Sequence, residues 1–215
     1  MYATSGLVRY AGSAADHVLQ RWPEVITTGS IGDAGRAEAW VVGPGIGTGN
    51  AGRELLSHVL DIGVPVCVDA DGITLLGAHP DLWDRRDPDT PVVLTPHDRE
   101  FARLAPLGKD RVASAKALAQ RTNAVVLLKG YSTIVAAPDG RVLINQAPSA
   151  WLATAGSGDV LSGMIGALLA AGLDPWLAAG CAAWMHGQAG TLAASGAPAP
   201  ASEIVTSIPD AIRLV

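Results

Sequence analysis

The residues best suited to chemistry lie in the segment 153–166, where glycines and small side chains lead up to one acid, Asp159. The apolar run 160–173 that follows predicts a buried helix. The segment 156–158 would lie at the N-terminus of that helix, where free backbone N–H groups and the helix dipole favour an anion. Asp159 would repel a phosphate there but could remove a proton from a hydroxyl that attacks it. The alternative is that Asp159 only caps the helix.

Two further segments follow short apolar runs that predict buried strands. The run 39–42 leads into 43–49, which holds four glycines in seven residues and precedes a predicted helix at 51–60. This order resembles a dinucleotide site, but the spacing is not G-x-G-x-x-G and a P-loop lysine is absent, so a plain tight turn is the alternative. The run 64–68 ends in Asp69 and Asp71, which could hold Mg²⁺ through water or cap the next helix.

Two more predicted strands end in polar residues. The strand 91–94 is followed by His97, and the strand 124–128 by Lys129, one of only three lysines in the chain. Because ligands gather at the carboxyl ends of parallel strands, we expect one shared cleft, with Lys129 suited to phosphate contact. The alternatives are a structural histidine and a solvated lysine in a turn.

The alternation of strands and helices predicts a single doubly wound α/β domain over residues 1–215, with a mainly parallel sheet flanked by helices. A hairpin is predicted at 133–137 and 141–145. Other helices are predicted at 18–22, 72–76, 101–105, 113–121 and 175–191, and a last helix begins with Ser202 as its cap and Pro209 kinking or restarting it.

Composition excludes several classes of protein. Of the 215 residues, 49% are hydrophobic and 16% charged, which favours a sizeable core over disorder. The net charge of −5 argues against a nucleic-acid surface. Cys67 and Cys181 lie in apolar runs and are predicted to be buried free thiols in a reducing compartment. With no signal-peptide pattern and no apolar run long enough to span a bilayer, we expect a soluble cytoplasmic protein.

The chain resembles the ADP-dependent NAD(P)H-hydrate dehydratase family, a branch of the ribokinase-like kinases. The matching stretches are 43–47, 68–71, 94–97, 129–133 and 154–161, in the family's order over roughly residues 1–195. The resemblance implies a ribokinase-like fold and repair of NADH or NADPH hydrated on the nicotinamide ring. ADP, or ATP, with Mg²⁺ would phosphorylate the added hydroxyl, and phosphate would then leave to restore the double bond. It also implies an epimerase domain or partner protein and a homotetramer. From the charge and the apolar runs described above, we expect neither nucleic acid nor a membrane as a partner.

The resemblance also implies roles for individual residues. Asp159 would be the catalytic base and would contact the hydrate. The other hydrate-binding residues would be Gly45, Gly47 and His97. The nucleotide-binding residues would be Lys129, Gly130, Tyr131, Ser132, Thr133, Gly156, Ser157 and Gly158. No residue is assigned to a metal.

Three departures from the family pattern stand out. Ala153 replaces a common asparagine ahead of the anion site, and Asp98-Arg99 replace a common Pro-Gly. The family's first strand and helix precede the point where this chain begins, which predicts an N-terminal truncation with an unpaired sheet edge or exposed apolar surface. Two alternative functions remain open: a kinase of a small alcohol, of the hydroxyethylthiazole or hydroxymethylpyrimidine type, and a nucleotide-binding regulator without activity.

Overall fold

The computed structural model describes residues 6–146 and 150–214. The sequence of residues 3–8 predicts the end of a helix that runs into a strand, and residues 3–5 of that segment lie outside the described residues. Eight strands are present in the described chain: β1 (Arg9–Ala11), β2 (Ile26–Thr28), β3 (Trp40–Val42), β4 (Val66–Val68), β5 (Val92–Leu94), β6 (Val125–Leu128), β7 (Ser132–Ala136) and β8 (Val142–Gln146). The helices are α1 (Ala15–Arg21), α2 (Asn50–Asp61), α3 (Ala70–Ala78), α4 (Asp98–Leu104), α5 (Arg111–Thr122), α6 (Ser157–Ala170), α7 (Pro175–Ala194) and α8 (Ala201–Ile212).

The main sheet has six strands in the order β3-β4-β5-β6-β7-β8. Strands β3 to β6 are parallel, and β7 and β8 add an antiparallel hairpin at one edge. Strands β1 and β2 form a separate two-stranded parallel sheet. The predicted α/β class, mainly parallel sheet and flanking helices are therefore confirmed.

Helices cover both faces of the main sheet, and the strand order decides which helices go where. Alternate residues of a strand point to opposite faces. Val66 and Val68 pack into a core with α2, α3, α4 and α5, whereas Cys67 packs into a second core with α6, α7 and α8. Because the parallel strands follow in chain order, their connecting helices all lie on one face. The C-terminal helices are left to cover the other face.

Helix α6 packs closely against strand β3 at Gly166, which has no side chain. A Cβ atom on Gly166 would lie 2.2 Å from Cγ2 of Val41, so a larger residue would push the helix away from β3. This close packing places the N-terminus of α6 beside the carboxyl ends of β4 and β6, where Ser162 contacts Asp69 and Gly158 approaches Lys129.

Several local predictions were wrong. Helix α6 begins at Ser157, inside the predicted N-terminal segment 156–158, but it ends at Ala170, short of the predicted end at Leu173, because Gly172 adopts a positive φ of 84°. Ser202 is not a helix cap: α8 begins at Ala201 after Pro200, without a side-chain cap, and continues through Pro209. Cys67 is buried as predicted, but Cys181 is exposed. Helix α7 is apolar on all sides, so the sequence does not reveal which side faces outward.

Within the described residues, none of the helices combines the length and the apolar character needed to cross a membrane.

Candidate active site

A cavity of about 680 Å³ opens where the carboxyl ends of the parallel strands meet the N-terminus of α6. It brings together residues from six separate parts of the chain. Of the predicted site residues, those that line it are His97, Lys129, Gly130, Tyr131, Thr133, Ser157, Gly158 and Asp159. The single shared cleft expected from the strand ends is therefore present.

The cavity lining does not include Gly45, Gly47, Ser132 or Gly156. The glycine loop that holds the first two packs against the strand end at Asp69 instead. A Cβ atom on Gly43 would lie 1.8 Å from the carbonyl oxygen of Asp69, and the N–H of Gly47 donates to Oδ2 of Asp71 at 3.0 Å. The roles of Gly45 and Gly47 in binding the hydrate stay predictions, because neither residue lines the cavity.

The N-terminus of α6 leaves backbone N–H groups beside the cavity without an acceptor among the described residues. Gly156 is the N-cap residue with a φ of 82°. The N–H of Ser157 is already used, because it donates to the carbonyl oxygen of Thr154 at 3.2 Å. The N–H groups of Gly158 and Asp159 donate to no other residue in the described part of the chain. These two groups and the helix dipole are therefore available to an anion.

The ammonium group of Lys129 lies directly beside this helix end. Its Nζ atom is 2.8 Å from Oδ1 of Asp69 and 3.8 Å from Oε2 of Glu100. The same atom lies 3.3 Å from the position that a Cβ atom would take on Gly158. A side chain at position 158 would press on the ammonium group, so the glycine keeps the positive charge close to the free N–H groups.

Asp69 is a fully buried carboxylate with a partner at each oxygen. Oδ1 accepts from the N–H of Ala70 at 2.9 Å as well as from Lys129, and Oδ2 accepts from Oγ of Ser162 at 2.6 Å. Thr95 lies beneath this network, 3.5 Å from Ser162. Of the two uses predicted for Asp69, the structure shows the helix cap. The ion pair to Lys129 was not expected.

Asp159 opens onto the cavity from the first turn of α6. Partial burial raises the pKa of its carboxyl group, and the negative charges of Asp69 and Glu100 act in the same direction, while Lys129 opposes them. A carboxylate with a raised pKa is a stronger base than an ordinary surface aspartate. Asp159 is therefore a stronger base than an ordinary surface aspartate, and it lies beside the free N–H groups of the helix N-terminus.

His97 has a structural use in addition to its place on the cavity wall. It is the N-cap residue of α4, where its Nδ1 atom accepts from the N–H groups of Arg99 at 3.1 Å and Glu100 at 3.2 Å. The Glu100 carboxylate accepts from the N–H of His97 in return, which completes a capping box. Nε2 of His97 lies 3.5 Å from Oε1 of Glu100.

The departure from the family pattern at Asp98 has a structural counterpart. Asp98 pairs with Arg111, whose Nη2 atom donates to the carbonyl oxygen of Lys129 at 2.9 Å. A Cβ atom on Gly130 would lie 2.7 Å from that same Nη2 atom. The guanidinium group of Arg111 thus holds the backbone of the loop that carries Lys129.

Among the polar residues at this site that the sequence analysis did not assign to it are Glu100, Asn145, Ser162 and His186. Ser162 and His186 stand in runs of small apolar residues, which the sequence analysis treated as buried helix. A polar residue within an apolar run could have indicated a site residue, because a buried polar group needs a hydrogen-bond partner.

The described residues provide no metal site of their own. His, Cys, Asp and Glu side chains within them form no cluster of three or more that could hold a metal ion. Two of the three carboxylates at this site, Asp69 and Glu100, already face Lys129. Mg²⁺ is often bound by one or two carboxylates together with substrate phosphates, so it fits this site only as a companion of a bound nucleotide.

Comparison with known proteins places this geometry in a family. A family profile described as NAD(P)H-hydrate dehydratase matches residues 1–210. The chain belongs to the NAD(P)H-hydrate dehydratase family. It is 52% identical to the bifunctional NAD(P)H-hydrate repair enzyme Nnr of Mycobacterium leprae, over 98% of this chain and 46% of that protein. It is 37% identical to the ADP-dependent (S)-NAD(P)H-hydrate dehydratase of Neisseria meningitidis, over 91% of this chain and 69% of that protein.

Solved structures give the same family and the same fold. The ADP/ATP-dependent NAD(P)H-hydrate dehydratase of Bacillus subtilis, co-crystallised with ATP and Mg²⁺, matches with a TM-score of 0.84 and 26% identity, over 99% of this chain and 83% of that one. A hydroxyethylthiazole kinase from Pyrococcus horikoshii matches with a TM-score of 0.64 at 17% identity, which shows the shared ribokinase-like fold alone. The chain spans less than half the length of the bifunctional relatives first compared with it.

Proposed function

We propose that this member of the family dehydrates hydrated NADH and NADPH at the expense of ADP, acting on the hydroxyl that hydration adds to the nicotinamide ring. The observation that carries the proposal is the placement of Asp159 and Lys129 next to Gly158 at the N-terminus of α6, in the lining of one cavity. This arrangement offers a base for a hydroxyl and a positive site for a phosphoryl group within one cavity. The names of the relatives support hydrated NAD(P)H as substrate and ADP as co-substrate.

The first step is phosphoryl transfer. Asp159 removes the proton from the ring hydroxyl, whose oxygen attacks the terminal phosphorus of ADP and releases AMP. The N–H groups of Gly158 and Asp159 and the ammonium of Lys129 stabilise the negative charge on the transferring group. Mg²⁺ bound with the nucleotide would add further neutralisation of the phosphate oxygens.

The second step is elimination. Hydroxide is a poor leaving group, whereas phosphate is a good one, so the phosphorylated ring carbon can lose phosphate. Loss of a proton from the neighbouring ring carbon then restores the double bond. The sum is hydrated NADH plus ADP giving NADH, AMP and phosphate, with the oxygen of the added water ending in phosphate.

Turnover distinguishes this proposal from the alternatives. The chain is incubated with hydrated NADH and ADP, and reduced nicotinamide absorbance, AMP and phosphate are measured together. The proposal requires all three in equal amounts. A kinase of a small alcohol would leave the phosphate on its product, and a regulator would bind nucleotide without turnover; either result contradicts the dehydratase.

Partners and location also belong to the proposal. The bifunctional relatives support an epimerase that works with this chain to interconvert the two hydrate epimers. Leu177, Cys181 and Trp184 recur at helical spacing on α7 and are exposed, which supports burial in a homotetramer. A cytoplasmic location agrees with a nucleotide substrate and a free exposed thiol. Sedimentation at several protein concentrations tests the assembly.

A further inference from the structure

A buried histidine contacts the anion site from a helix that the reaction proposed above does not use. His186 lies in the middle of α7, is 6% exposed, and belongs to the cavity lining. Its Nε2 atom lies 3.2 Å from Oγ of Ser157, whose side chain is also buried and also lines the cavity. The pair therefore joins α7 to the first residue of α6.

Ser157 can serve a bound anion only through its side chain. Its backbone N–H donates to the carbonyl oxygen of Thr154, in contrast to the N–H groups of Gly158 and Asp159. A serine hydroxyl has one proton, and its direction depends on the partner of the oxygen. If Oγ accepts a hydrogen bond from His186, the O–H proton is left to point into the cavity.

The surroundings of His186 decide that direction. Burial, together with a smaller effect of the nearby charge of Lys129, lowers the pKa of His186 to about 4, so the ring is neutral at physiological pH and carries one proton. The backbone of Ser157 favours a proton on the ring. Since Nε2 is the ring nitrogen that faces Ser157, we place the proton there, and Nε2–H then donates to Oγ.

We propose that His186 is a positioning residue that holds the Ser157 hydroxyl as a hydrogen-bond donor to the terminal phosphoryl group of the bound nucleotide. The inference rests on the proposed function for the identity of that nucleotide, ADP. The Ser157 hydroxyl would then be a third hydrogen-bond donor at the helix end, beside the backbone N–H groups of Gly158 and Asp159. Ser157 touches the phosphoryl group, and His186 acts through it.

Calorimetry with ADP and AMP tests the inference on the full chain. AMP lacks the phosphoryl group that the hydroxyl would contact, so a specific effect must weaken ADP and spare AMP. Ser157→Ala and His186→Leu should each weaken ADP binding by about tenfold or more, the range for a hydrogen bond to a charged group, and leave AMP binding unchanged. His186→Gln, whose amide can donate in place of Nε2–H, should restore most of the ADP affinity.

A double-mutant cycle identifies the route of the effect. If His186 acts through Ser157, the variant that carries both Ser157→Ala and His186→Leu should bind ADP no more weakly than Ser157→Ala alone. His58→Leu, an exposed histidine on α2, is the matched control and should bind both nucleotides as the unaltered chain does.

The outcomes separate this inference from the proposed function. Equal losses for ADP and AMP, or additive losses in the double variant, would show that His186 only shapes the wall and would overturn the inference. If His186→Leu does not fold, Ser157→Ala and His186→Gln still test the inference. Normal ADP binding by Ser157→Ala would contradict the role of the hydroxyl. If the unaltered chain binds ADP but does not restore NADH, the proposed dehydratase function is refuted, and the double-mutant cycle can still be interpreted. If the unaltered chain does not bind ADP, both the proposed function and this inference are refuted.

Discussion

The Nζ atom of Lys129 lies 2.8 Å from Oδ1 of Asp69, a carboxylate that is only 1% exposed. Asp69 follows β4 and Lys129 follows β6, and β5 lies between these two strands in the sheet. The partners are 60 positions apart in the sequence. The ion pair sets the ammonium beside the N-terminus of α6 and leaves its outer side to the cavity. Lys129 thereby serves the stability of the buried carboxylate and the binding of phosphate at once.

Replacement of Lys129 should separate these two roles. Lys129→Met should weaken ADP binding by about 1.5–3 kcal/mol, because a hydrogen bond to a charged group is lost. It should also lower the free energy of unfolding by about 3–5 kcal/mol, because Asp69 stays buried without its counter-charge. Adding Asp69→Asn should recover part of the stability and none of the ADP affinity. Lys109→Met, on an exposed lysine, is the control; calorimetry and denaturant unfolding give both quantities.

Asp159→Asn should lower turnover by about 10²–10⁴-fold, the usual contribution of a general base, and keep ADP binding. It should also stabilise the fold. The pKa of Asp159 is raised in the folded state, so its contribution to stability is full below the ordinary aspartate pKa and is lost as pH rises through the raised value. At neutral pH the uncharged asparagine avoids that cost, so Tm should rise.

The control for that experiment is Asp16→Asn, an exposed acid in the first turn of α1. It should leave turnover unchanged. The cap interpretation makes the opposite stability prediction for Asp159, because loss of a helix-capping charge lowers Tm. A lowered Tm with near-normal turnover would therefore restore the cap interpretation.

Glu100→Gln should shift the acid limb of the pH profile of kcat/KM toward lower pH. The charge of Glu100 helps to raise the pKa of Asp159, and glutamine removes that charge while keeping an oxygen that can accept from the N–H of His97. Activity should therefore persist to more acidic pH than in the unaltered chain. Glu38→Gln, a change on an exposed acid paired with Arg36, should leave the limb in place. A shift toward higher pH would contradict the assignment of the limb to Asp159.

His97 needs two variants because it both caps α4 and lines the cavity. His97→Ala removes both functions and should lower the free energy of unfolding by about 1 kcal/mol. His97→Asn keeps a side-chain acceptor for the cap and should be nearly as stable as the unaltered chain. Both should raise KM for the hydrate and leave the constant for ADP unchanged. Normal KM in His97→Asn would show that the cap alone explains the residue.

The sequence by itself determined the parts of the protein that depend on near neighbours. Apolar runs predicted β3 to β6 to within two residues, because strands buried on both faces need continuous apolar side chains. The hairpin of β7 and β8 followed from the turn residues between them. The position of Asp159 in the first turn of α6 followed from the glycines before it and the small apolar residues after it.

Only the tertiary structure decided which distant groups meet. Ser162 is 93 positions from Asp69, and His186 is 29 positions from Ser157, so no local pattern connects either pair. Their contacts depend on which side of α6 and α7 faces the sheet, and helices rich in alanine and glycine carry little information about that choice. The same ambiguity made the prediction for Cys181 wrong. Docking of α6 against Val41, permitted by the absent side chain of Gly166, fixes which side of α6 faces the sheet and brings Ser162 to Asp69.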